Sequence, residues 1–187
     1  MTELEHVYFG YGFRNYILKD FSLKIREGDR VCLSAPSGKG KTTVLRLITG
    51  LEKPRRGTVK TAGDIKFSAV FQDDRLLPGK TVLENTAMFS SEEAAREMLI
   101  KLGLGDVMNS LPRELSGGMK RRAALARALC HDFDMLILDE PLTGLDEENK
   151  ANCLRLINEA LQGKTLVMAT HDLTEAEYLG ARIVYLP

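Results

Sequence analysis

The chain has 187 residues, 44% hydrophobic and 28% charged, and its 26 basic and 26 acidic side chains cancel to a formal net charge of +0. That length suits one domain with a substantial core, and the neutral balance gives no global attraction to nucleic acid or an anionic membrane surface. No stretch approaches the ~18–20 apolar residues that span a bilayer, no secretion signal opens the chain, and Cys32, Cys130 and Cys153 lack metal-ligand or redox spacing.

A reducing compartment is therefore expected, with Cys32 and Cys130 as small buried hydrophobes and any membrane role exerted through a partner. Residues 4–9 read as a short strand closed by Gly10-Tyr11-Gly12. Tyr11 between two glycines suits either a platform for an adenine base or a turn tyrosine covering a sheet edge. Residues 21–25 alternate apolar and polar, as a half-buried strand does, and 27–29 form the following turn. Residues 30–35 are the next strand, so an antiparallel sheet beside a nucleotide-binding core is expected.

That strand runs into Ala35, Pro36, Ser37, Gly38, Lys39, Gly40, Lys41, Thr42 and Thr43, and then into an amphipathic helix from Val44. A strand, a small-residue turn and a helix are the context of a phosphate-binding loop. Successive backbone N–H groups converge on an anion there, and the helix behind adds its unpaired N–H groups and positive dipole end. Gly38 and Gly40 allow φ > 0, which lets the main chain lie against phosphate oxygens. Lys41 reaches β/γ phosphates and the Thr42 hydroxyl can bind Mg²⁺. Ala35 stands where the usual pattern has its first glycine, which matters only if that position needs φ > 0.

Strands are expected at 58–60 and 65–71, the second ending at Gln72. Gln72 could reach a metal or an attacking water through its amide, or could simply begin a loop. From 78 to 129 the texture is helical, with Ser91 capping a helix that ends near Gly103 and Gly105. Ser116, Gly117 and Gly118 precede an alanine-rich helix with Lys120, Arg121 and Arg122 in its first turn. Cations there oppose the macrodipole. Either an external anion docks against Ser116 and the glycine amides, or this is a glycine turn with a solvated basic face.

Residues 135–138 are four consecutive apolar side chains, as in a central parallel strand, and they end in Asp139 and Glu140. Ligands sit outside the carboxyl ends of such strands. Asp139 is placed to hold Mg²⁺ and Glu140 to polarise water as a general base. A helix over 147–162 carries a stripe of Leu154, Ile157 and Leu161. Another buried strand, 165–170, ends at His171, well placed to hydrogen-bond a γ-phosphate, whereas His6 and His131 read as structural or surface residues. A short helix at 173–179 and a strand at 182–186 complete the chain.

In this order the motifs resemble those of the ATP-binding cassette (ABC) transporter ATPases. Ala35 to Thr42 is similar to the Walker A loop, Gln72 to the Q-loop residue, and Leu115-Ser116-Gly117-Gly118-Met119 to the signature. Leu136 to Asp139 with Glu140 resembles Walker B and its catalytic glutamate, Gly144-Leu145-Asp146 the D-loop, and His171 the switch histidine. Tyr11 falls where the family places an adenine-stacking aromatic. Departures are Ala35, Met119 in place of a commoner glutamine, Thr143-Gly144 in place of a common Ser-Ala pair, a short segment between Gly57 and Gln72, and an end at Pro187 without a regulatory extension.

The resemblance implies an α/β P-loop NTPase core with a mainly parallel sheet and an antiparallel β side, formed by residues 1–77 and 131–187, and a helical subdomain at 78–130. It implies ATP and Mg²⁺, held by Tyr11, the Ala35–Thr43 loop, Gln72 and Asp139, with Lys41, Gln72, Glu140 and His171 in hydrolysis. It also implies a head-to-tail, ATP-dependent homodimer in which Ser116, Gly117 and Gly118 of one copy close the site of the other. Expected partners are transmembrane permease subunits and, indirectly, a solute-binding protein, at the inner face of the cell membrane. The segment from Leu76 to Asn85 is most similar to importers of nitrate, sulfonate and taurine. A soluble ATPase acting on nucleic acid and a non-hydrolysing nucleotide sensor are the competing classes. The first usually carries paired cassettes or coiled-coil insertions, which this chain lacks.

Overall fold

In the computed structural model, which describes residues 1–12 and 15–186, strands Met135–Asp139 and Thr165–Ala169 are buried at every residue. Pro187, the last residue of the expected core range, lies outside the described residues. The chain order is β1 (Thr2–Phe9), β2 (Leu18–Ile25), β3 (Arg30–Ser34), α1 (Lys41–Ile48), β4 (Arg56–Thr61), β5 (Phe67–Val70), α2 (Val82–Thr86), α3 (Glu92–Lys101) and α4 (Gly117–Leu129). β6 (Met135–Asp139), α5 (Glu147–Ala160), β7 (Thr165–Ala169), α6 (Leu173–Tyr178) and β8 (Arg182–Tyr185) follow.

β5-β6-β7-β3-β8 form a five-stranded sheet with every pair parallel. The alternation along β6 shows why residues 135–138 must all be apolar. Leu136 and Leu138 join the core made with α4 and α5, whereas Met135 and Ile137 join the core made with α1 and the β1–β2 ribbon. β7 divides in the same way, with Leu166 and Met168 on one face and Val167 and Ala169 on the other. Truncating Leu136 to alanine, at the middle of this double-sided layer, would cost about 2–5 kcal/mol.

The second sheet is antiparallel, in the order β2-β1-β4. Its pairing shifts register twice, between Leu4 and Val7, where His6 has φ 49°, and between Val7 and Phe9, where Asp20 on the facing strand has φ 52°. A bulge of this kind breaks the two-residue alternation. It explains why the visible alternation begins at 21, although the strand starts at Leu18, which is also buried.

Between β5 and β6 the regular elements among the described residues are helices joined by turns. α2, α3 and α4 pack together through Val82, Ala95, Leu99 and Leu125. Thr81 and Glu84 form a capping box on α2, and the Ser91 and Ser116 side chains accept the N–H groups of Ala94 and Met119. α5 ends at Ala160 rather than at 162, with Leu161 as its C-cap.

Candidate functional site

The register of the parallel sheet gathers the functional strand ends. Leu33 and Asp139 both pair with Ala169, so the residues after β3, β6 and β7 emerge side by side. Those after β3 and β6 edge a cleft of about 380 Å³ lined by the 36–43 loop, Tyr11, Ile17, Arg46, Gln72, Asp139 and Glu140, and His171 after β7 stands beside it, outside the lining.

Gly38 and Gly40 in the loop have φ of 77° and 95°. A Cβ on Gly40 would also lie 2.8 Å from Ile17 Cγ2, so glycine is required there twice over. Ala35 needs no such freedom: among the described residues, positive φ outside glycine is confined to His6, Asp20, Arg75 and Glu140. Its carbonyl accepts a hydrogen bond from Lys41 Nζ at 2.8 Å. The lysine ammonium is thereby parked over the loop, 3.9 Å from Glu140 Oε1.

One residue along α1, the Thr42 hydroxyl donates to Asp139 Oδ2 at 2.6 Å. Asp139 is only 2% exposed. Burial pushes its carboxyl above the ordinary range, and the Glu140 charge adds to that, while the Thr42 bond, Lys41 and Arg46 work against it. Such a carboxylate gains from a cation. The hydroxyl and carboxylate oxygens, with the Gln72 amide on the same cleft, are the hard donors Mg²⁺ prefers.

Glu140 sits at φ 51°, a left-handed conformation that costs a non-glycine residue about 1–3 kcal/mol. Its N–H donates to Ala169 O at 2.8 Å, which holds the turn, and its Oε2 lies 2.7 Å from His171 Nδ1. The carboxylate is thus flanked by Lys41 on one side and His171 on the other. Sequence reasoning named both acid and histidine but did not foresee that they touch.

Tyr11 is 58% exposed, packs edge-on against Phe9 with ring centroids 5.1 Å apart, and accepts a hydrogen bond from Arg46 Nη1 at 3.3 Å. Arg46, absent from the expected set, thus ties the tyrosine to α1; its place on that helix, five residues after Lys41, was the available signal.

Ser116, Gly117 and Gly118 lie outside this cleft. Ser116 and Gly117 are exposed at the start of α4, and a Cβ on Gly118 would meet Leu145 at 3.2 Å. In the basic turn beside them, Arg121 donates to the carbonyls of Phe71 and Gln72, and Arg122 to that of Leu102. These carbonyls take guanidinium N–H groups without cancelling the positive charge.

The family model described as ABC transporter matches residues 18–143. The chain is 40% identical over 195 aligned residues to the aliphatic sulfonates import ATP-binding protein SsuB 1 of Rhodococcus jostii, covering 100% of this chain and 80% of that protein. The aliphatic sulfonates import ATP-binding protein SsuB 2 of Burkholderia lata is 37% identical, with 94% of this chain and 69% of that one covered. Among solved structures, a dimeric ATP-binding cassette in a post-hydrolysis state with ADP and Pi superimposes with a TM-score of 0.90 at 32% identity, covering 100% of this chain and 94% of that one. A bacterial Atm1-family exporter with ATP bound gives 0.86 at 25% identity and covers 100% of this chain but 36% of that one.

Proposed function

The chain belongs to the ABC transporter family, and from that premise we propose how its cleft binds and hydrolyses ATP on behalf of a membrane importer. The loop amides from Gly38 to Thr43 and the N-terminus of α1 receive the phosphates. Lys41 exchanges the Ala35 carbonyl for β- and γ-phosphate oxygens, and the Tyr11 ring stacks on the base. Thr42, Asp139 and the Gln72 amide hold Mg²⁺, which supplies charge neutralisation when bound.

Glu140 orients a water in line with the γ-phosphorus and takes its proton as the new P–O bond forms and the bond to the bridging oxygen breaks. His171, fixed by its contact with Glu140, donates to the γ-phosphate. Ser116, Gly117 and Gly118 complete the site from a second copy, since the fold leaves them outside their own cleft. The helical stretch 78–130 serves as a subdomain against a core of 1–77 and 131–187. No helix among the described residues is long and apolar enough to cross a membrane, so we assign membrane association to permease subunits. The similarity to aliphatic sulfonate import proteins supports a small sulfonate as the imported solute.

The observation that carries this reading is Glu140 between Lys41 and His171, at the carboxyl end of β6. Glu140→Gln should bind ATP with parental affinity, release no phosphate and accumulate as an ATP-dependent dimer on size exclusion. Parental turnover by that variant would remove Glu140 from the base role. For the solute, deleting the gene should abolish growth on an alkanesulfonate as the sulfur source; unchanged growth would redirect the assignment.

A further inference from the structure

Two arginines on α4 hold the main chain that carries Gln72. Arg121 is 8% exposed and donates through Nη1 to Phe71 O at 2.9 Å and through Nη2 to Gln72 O at 2.8 Å. Arg127 donates through Nη1 to Arg75 O at 2.9 Å and through Nη2 to Asp74 O at 2.9 Å. Four carbonyls over five residues are therefore tied to one helix. Asp74 adds charge without another hydrogen bond: its Oδ1 is 3.0 Å from Arg121 Nη1 and has no hydrogen-bond partner.

The segment has little slack. Arg75 sits at φ 48°, with its guanidinium 5.4 Å from the centre of the Phe71 ring. Beyond it, the fully buried Asn85 receives the Leu77 N–H and donates to the carbonyls of Leu77, Lys80 and Thr81. All these bonds engage backbone. The Gln72 side chain stays at the cleft, while its main chain cannot move without α4. Ser116 caps α4 five residues before Arg121, only about 7.5 Å along a stiff helix.

We infer that Arg121 and Arg127 are positioning residues for hydrolysis, a two-guanidinium clamp that makes 71–75 and α4 one mechanical unit. Displacement of Gln72 as it engages the bound nucleotide then relocates Ser116, Gly117 and Gly118. The inference rests on the roles proposed above for Gln72 and the 116–118 turn, and adds the physical link between them. Arginine is needed at both positions because each fork bridges two carbonyls of fixed spacing, whereas a lysine ammonium is a single point donor.

The test is amide hydrogen exchange on Glu140→Gln protein with and without Mg-ATP, compared with the same protein carrying Arg127→Ala or Arg121→Lys. The parent should gain ATP-dependent protection at both 36–43 and 116–119. The clamp variants should keep protection at 36–43, which also reports that they are folded and bind ATP, and lose about tenfold of it at 116–119. With Glu140 restored, kcat should fall about tenfold while the KM for ATP changes less than about threefold. Full protection at 116–119 in both clamp variants overturns the clamp. So does a parent in which ATP protects 36–43 but never 116–119, an outcome that leaves the nucleotide site standing. Absence of protection at 36–43 in the parent overturns the nucleotide site and the clamp with it.

Discussion

Glu140 Oε2 lies 2.7 Å from His171 Nδ1, across a separation of 31 residues. The two sit at the ends of adjacent strands, and Glu140 reaches its partner only because it adopts φ 51°. His171→Ala should therefore remove a phosphate donor and also free the carboxylate. We expect kcat to fall about 10²–10³-fold with ATP affinity preserved within about twofold, as removal of a transition-state donor does. Single-turnover phosphate release beside equilibrium nucleotide binding would separate the two. A variant that mainly lost affinity would place His171 in binding instead.

Ala35 and Gly40 should respond in opposite ways to exchange of alanine and glycine. Ala35 has no positive φ and uses its carbonyl rather than its side chain, so Ala35→Gly should leave ATPase kinetics within about twofold and cost roughly 0.4–1 kcal/mol through added unfolded-state freedom. Gly40→Ala meets both φ 95° and a 2.8 Å approach to Ile17. It should weaken ATP binding at least about tenfold. Equal kinetics in the two variants would count against this account of the loop.

What could be read from the sequence was what local chemistry encodes. The loop glycines, the Ser91 cap and the apolar β6 run each announce themselves within a few residues, and the structure has them where expected. What could not be read depends on partners far along the chain. Arg121 finds its carbonyls 50 and 49 residues away, so its basic turn read equally as an anion site or a solvated face. The register shift at Asp20 hid the start of β2, because its two-residue period fails there. Gln72 looked like an ordinary loop residue locally; its place on the cleft comes from β5 lying beside β6.

The cysteines should be slow to react. Burial pushes the Cys32 and Cys153 thiols up to about 11, and Cys130, half-buried with Sγ 3.6 Å from Ala94 O, is also raised by burial. Thiolates are therefore scarce at neutral pH. An aromatic disulfide reagent should titrate no thiol quickly in the native protein, with Cys130 reacting first and all three reacting in denaturant. Rapid native labelling of Cys32 would contradict its place within β3.

Glu175 on α6 is 5% exposed, and its Oε2 has no hydrogen-bond partner. Burial pushes its pKa up first; the Asp172 and Glu140 charges push the same way, while the Thr170 hydroxyl and Lys150 pull it down. The folded state thus holds this proton more tightly than the unfolded state. Its stabilising contribution is complete below the unfolded pKa and is lost as pH rises through the higher folded value. Glu175→Gln removes the charge and keeps the shape. Near neutral pH it should raise the melting temperature by about 2–4 °C, the equivalent of about 1 kcal/mol in a domain of this size. The gain should shrink on acidification, as the parent carboxyl takes up its proton. Parallel melting curves for the two proteins from pH 5 to 8 would show that Glu175 is not protonated more readily in the folded state.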